Sequence, residues 1–207
     1  MRKYDFISIL AQETAKEIVR NRNAWMQYLT TAARLYKYPF REQLLIYAQR
    51  PDATACASID VWNERMHCWV NKGAKGIALI DEDNAHGKRL KYVFDVSDVH
   101  AARRIGRYPE KWEVHEEHKD AVIDRLEQIY GGTDERSPFE ERLIEISRRI
   151  AEDCYEELLP DLQYLTEGSF LEGLDEQNIG IRFRETLADS ISFTLLSACG
   201  ADIVEYK

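Results

Sequence analysis

The sequence predicts an α+β fold: N-terminal helices on a small antiparallel sheet, followed by a mainly helical C-terminal half. Three observations carry that expectation. Apolar residues recur at helical spacing from Asp5 to Ala48, the period changes to short apolar runs near Cys68, and it changes back after Tyr108.

Phe6, Ile9, Leu10, Ala15 and Ile18 predict a first helix over residues 5–20, and Trp25, Tyr28, Leu29, Ala32, Ala33 and Tyr36 a second over 25–36. A third starts after Tyr38-Pro39, proline suiting a first helical turn, and carries Leu44, Leu45, Tyr47 and Ala48. It stops at Arg50, because the ring of Pro51 disfavours helix in the residue before it. Ser58 is placed to cap a short helix through Ile59, Val61, Trp62 and Met66. Residues 68–71 and 77–80 are short apolar runs separated by Lys72-Gly73-Ala74-Lys75-Gly76, and they predict a β-hairpin. After the polar segment 81–88, residues 91–95 predict a third strand of the same sheet. Residues 97–109 read as a transition, which divides the chain into domains 1–108 and 109–207. Beyond it, helices are expected over 118–130, 138–158 and 183–199. Gly131-Gly132 and Leu159-Pro160 separate them, and Gly200 closes the last.

Composition narrows the function classes. A chain of 207 residues with 44% hydrophobic and 31% charged residues can bury a core and is unlike a disordered protein. Its longest apolar stretches fall well short of the roughly 20 residues that span a bilayer. The run Phe6 to Leu10 is too brief for a signal peptide, so a cytoplasmic protein without membrane association is expected. Cys56, Cys68, Cys154 and Cys199 lie far apart and form no CxxC pair, which points to reduced thiols rather than a disulfide framework or zinc site. The net charge of −9 is unevenly spread. Residues 1–110 hold 18 Lys/Arg against 13 Asp/Glu, a balance of +5, whereas 111–207 hold 10 against 24, a balance of −14. Such asymmetry suggests one surface for an anionic partner and another that is acidic.

The lysine-glycine turn is the first candidate for chemistry. Gly73 and Gly76 let backbone amides approach an anion without a Cβ in the way, and Lys72 and Lys75 supply charges for phosphates. Arg50 is a further cation near the same motif. A single strand of nucleic acid needs such an electrostatic track together with aromatic faces for its bases. Trp69 or Tyr92 would offer a stacking face, with Trp62 and Tyr47 also nearby in sequence. Each of these residues alone is equally an ordinary turn or core residue.

The order Leu44-Leu45-Ile46, Gln49, Pro51, Ala53-Thr54, Trp62, Val70, Gly73, Gly76, Ile77 and then Val93-Phe94-Asp95 resembles the N-terminal domain of the ArdC-type antirestriction proteins of plasmids and conjugative elements. The resemblance covers roughly residues 36–100 and implies single-stranded DNA as partner. Two positions depart from the pattern: Pro39 and Glu42 stand where the family has serine and asparagine. That variant is similar to the form found at the N-terminus of very long proteins of Gram-positive conjugative elements. ArdC proteins carry a zinc-peptidase-like domain next, whose HExxH signature is absent here. His115-Glu116-Glu117-His118 has its histidines three apart rather than four. Neither a Gly-x-Ser-x-Gly elbow nor a P-loop occurs, so the expectation is a protein with no catalytic residue, metal or cofactor.

Two readings of function follow. One is a non-enzymatic single-stranded-DNA-binding module of a mobile genetic element, with a role in conjugative transfer or antirestriction. The other is an acidic interaction or DNA-mimic module whose partner is a host defence nuclease, bound through carboxylates that stand in for phosphates.

Overall fold

The computed structural model describes residues 2–81, 89–110, 112–162 and 164–201. It is α+β, as the sequence predicts, and falls into two compact units, Met1–Lys111 and Trp112–Lys207.

In the first unit, helices α1 (Lys3–Ile18), α2 (Arg22–Arg34) and α3 (Phe40–Gln49) precede the strands. Asn21 caps α2, its side-chain oxygen accepting from the Ala24 amide at 2.8 Å. Pro39 opens α3 and Arg50 ends it. A three-stranded antiparallel sheet orders as β1 (Cys56–Ala57), β4 (Arg89–Asp95) and β3 (Ile77–Asp81), with Ile77 opposite Val93 and Cys56 opposite Asp95. Residues 77–80 are all buried; Ile77, Leu79 and Ile80 meet Ile7 and Ala11 of α1 and Leu45 and Ile46 of α3 in one core. Burial of several such side chains, each worth about 1.5–3 kcal/mol, is what holds helices to sheet.

The expected hairpin does not form. Strand β2 (Cys68–Val70) pairs instead with β5 (Val99–Ala101), within residues read as a transition, and those two strands make a separate sheet with Trp69 opposite His100. The ladder is prolonged by the Asn71 amide, which donates to Asp98 O at 2.8 Å. Three-residue strands carry too little periodicity to announce their partner. The segment 59–66 forms a π-helical stretch, Val61–Arg65, with Ser58 Oγ accepting from the Val61 amide at 3.4 Å. It buries Trp62 against Cys68 and Val99. Of the predicted polar loop, residues 82–88 lie outside the described residues.

The second unit is helical: α4 (Glu116–Tyr130), α5 (Phe139–Leu162) and α6 (Glu176–Cys199). Glu152 meets Arg184 at 2.9 Å and the rings of Tyr155 and Phe183 lie 6.3 Å apart, so α5 and α6 run antiparallel. Ile123 of α4 completes a core with Leu143, Ile146 and Leu196. Two helices outrun their predicted ends. Pro160 lies inside the last turn of α5, where it removes one i→i−4 hydrogen bond, yet the helix continues to Leu162. Gly180 and Asn178 hid the first turns of α6. A Cβ at Gly180 would lie 2.6 Å from the Tyr155 hydroxyl, so a larger residue there would displace that ring. Among the described residues, no helix is long and apolar enough to cross a membrane.

Candidate nucleic-acid interface

The lysine-glycine segment connects the two sheets of the first unit. Residues 71–74 form a turn closed by the Ala74 amide on Asn71 O at 3.0 Å. Gly73 occupies the third position of that turn at φ +91°, which a β-carbon would strain. Gly76 has a different reason. A Cβ there would meet Phe94 Cζ at 3.1 Å and Tyr92 Cβ at 3.2 Å, so the chain runs close against β4.

This arrangement leaves Lys72 and Lys75 exposed, and neither is ion-paired among the described residues. Trp69 lies two residues before the turn on β2 and is 50% exposed. Its cross-strand neighbour His100 is also exposed, with Nδ1 2.7 Å from Asn71 Oδ1, so the histidine is tied to the first residue of the turn. Tyr92 packs beside Gly76 at the other end, 39% exposed, with the Lys3 ammonium 4.9 Å from its ring centroid. The segment 71–76 is therefore bracketed by two accessible aromatic side chains and carries two cations between them.

Arg50 is placed differently. Its guanidinium bonds both Asp98 oxygens at 3.1 Å and Ser97 Oγ at 3.0 Å, and the Asp98 pair holds it in the charged form. Since Asp98 O also receives the Asn71 amide, Arg50 fixes the backbone from which the lysine turn starts. Trp62 is 1% exposed, its indole donating to Phe94 O at 2.8 Å, and so is core rather than platform. Tyr47 is half-buried, edge-on to Tyr28 at 5.6 Å.

Two residues that the sequence marked only as part of the motif hold the site's frame. Gln49 works as a substitute strand on the open edge of β3: its amide donates to Ala78 O and accepts from the Ala78 amide, both at 2.9 Å. Asp95, only 2% exposed, accepts from the amides of Thr54 at 2.7 Å, Ala55 at 3.1 Å and Ser97 at 3.0 Å, and from Ser97 Oγ at 2.7 Å. Burial alone would raise its pKa, but the Ser97, Thr54 and Ala55 donors outweigh burial and lower it. An Asp with Ser two residues after it, in Asp95-Val96-Ser97, was the available signal. The neighbouring Cys56 thiol is pushed to about 12 by burial and by Asp95, so it stays protonated and unreactive.

In the second unit, His115 and His118 stand exposed at the start of α4 with ring centroids 6.3 Å apart. No group of three or more His, Cys, Asp or Glu among the described residues is placed to hold a metal ion. Compared with protein-family models, curated proteins and solved structures, the chain matches none of them.

Proposed function

We propose that the first unit is a non-enzymatic, cytoplasmic module that binds single-stranded DNA across the Trp69–Tyr92 face, as a component of a mobile genetic element engaged in conjugative transfer or antirestriction. The observation that carries the reading is the exposed Lys72–Lys75 segment bracketed by accessible aromatics. Phosphates would run along the two ammonium groups and the glycine backbone, while a base stacks on Trp69. The ArdC-type resemblance implies the same partner, although the residues that carry it have structural roles here. Leu45, Ile46, Ala53 and Trp62 are core, Gln49 clamps β3, and Asp95 ties down Thr54 and Ala55. Lys72, Lys75 and Trp69 carry no such burden, and surface residues without a packing role are the ones free to bind. Glu42, one departure from that pattern, is ion-paired with Lys91 at 2.7 Å, which blunts its repulsion of phosphate. Arg50 acts in this reading as a positioning residue.

The test is a fluorescence-anisotropy titration of the full chain with a labelled oligonucleotide in single-stranded and duplex form. The single strand should bind more tightly and with little base preference. Lys72→Ala with Lys75→Ala should weaken binding at every sequence and reduce the log–log salt slope by roughly 1.4, about 0.7 per lost cation. No detectable binding at low salt, or a double variant with unchanged slope, rejects the proposal.

A further inference from the structure

The tip of the α5–α6 hairpin carries a second, unrelated surface. Near the other end of the hairpin, α4 covers it, through the Lys119–Glu140 and Glu127–Arg142 ion pairs and the Ile123 core. Past Tyr155 the unit consists of two helices and their connection. Of nineteen large apolar residues exposed among the described residues, seven fall within 158–181, a concentration that scattered surface hydrophobics do not give. Tyr164, Leu165 and Phe170 are 83%, 62% and 63% exposed, and Leu158, Leu159 and Leu174 about 40% each.

The connection is nonetheless ordered. Successive turns close through Tyr164 N to Asp161 O, Leu165 N to Leu162 O, Ser169 N to Thr166 O and Leu174 N to Leu171 O, while Leu162 and Leu171 are buried as anchors. A cleft of about 260 Å³ lined by Tyr155, Leu159, Leu162, Glu176 and Ile179 opens between the helices. Charge then selects the occupant. Residues 150–181 hold nine Asp/Glu and no Lys, Arg or His, and all nine carboxylates are exposed. Nucleic acid and anionic membrane are repelled by such a rim, and a second copy would set nine carboxylates against nine.

We propose that this tip docks a basic amphipathic helix of a partner protein, laid against α5 and α6 as a third helix. Its apolar face would cover Leu165 and Phe170, and its Lys/Arg face would meet the acidic rim. The proposal concerns the second unit alone and does not depend on the DNA-binding reading.

The probe is a dye-labelled peptide of about 14 leucines and lysines with one apolar face, compared with an isomer scrambled to remove that face. At about 0.15 M salt the full chain should bind the amphipathic isomer about tenfold more tightly or better. Leu165→Ser with Phe170→Ser should erase the difference between isomers. Glu156→Lys, Glu157→Lys and Glu167→Lys together should weaken both. All five substituted positions are exposed, so circular dichroism should report unchanged folding. Equal binding of the two isomers would mean only polyelectrolyte attraction and would overturn the proposal. So would amphipathic-peptide binding untouched by the serine variant, or a dimer seen by sedimentation that the serine variant abolishes while the peptide fails to bind.

Discussion

Asp95 illustrates how one carboxylate can organise a segment that has little regular structure. Four donors converge on it, and they join the segment just before β1 to the turn after β4. Asp95→Asn puts an amide nitrogen where an acceptor is needed and should cost about 1–3 kcal/mol at neutral pH, read from urea unfolding. Folding lowers this carboxyl's pKa, so its contribution is fully present above the unfolded value, about 3.9, and is lost as pH falls through the folded value. The difference between wild type and variant should therefore narrow below about pH 4, and a constant gap from neutral to strongly acid pH contradicts the assignment. Gly76→Val is the companion prediction. The added branches meet Phe94 and Tyr92, which must shift, so stability should fall by about 1–3 kcal/mol in the same assay. A neutral variant would mean that β4 yields freely there.

At the scale of elements, helix and strand were legible, and so was the pairing of 77–80 with 91–95, whereas the buried face of the first helix and the partner of β2 were not. The spacing of Leu10, Ala15 and Ile18 and of Leu44 and Leu45 announced helices, but Phe6 and Ile9 of the first stripe are exposed and Ile7, outside it, is buried. The run Ile77 to Ile80 announced a buried strand. The partner of β2 was hidden, because a lysine-glycine turn between two apolar runs looks like a hairpin and Val99–Ala101 is too short to show a period. The candidate site was legible in its residue types, lysines and aromatics about two glycines. It was not legible in its division of labour, since only tertiary contacts reveal that Arg50 is held by Asp98 and that Trp62 is core. Gln49 is the element-scale device most open to test. In Gln49→Ala the Ala78 amide loses its acceptor on the open edge of β3, so its hydrogen exchange should speed up selectively, by about tenfold or more. Exchange that rises equally along all of β3 and β4 would indicate general destabilisation instead of loss of a clamp.

For the whole molecule, the charge division read from the sequence separates two kinds of surface. The +5 half contains the unpaired lysines of the 71–76 segment, and the −14 half contains the nine exposed carboxylates of the hairpin tip. In the two proposals, one surface takes an anionic polymer and the other a basic polypeptide. The central claim is that bases stack on Trp69 while phosphates follow Lys72 and Lys75. Of the four tryptophans, Trp62 is buried, Trp25 is half-buried in α2, and Trp112 belongs to the second unit. Because Trp112 is also exposed, at 53%, titrating the full-length Trp112→Phe protein with oligothymidylate while following tryptophan emission leaves Trp69 as the exposed reporter. The account predicts saturable quenching that disappears when Trp69→Phe is added, with binding by anisotropy weakened but present. Quenching that persists after Trp69→Phe is added, or an emission unchanged by the oligonucleotide in the Trp112→Phe protein, contradicts it.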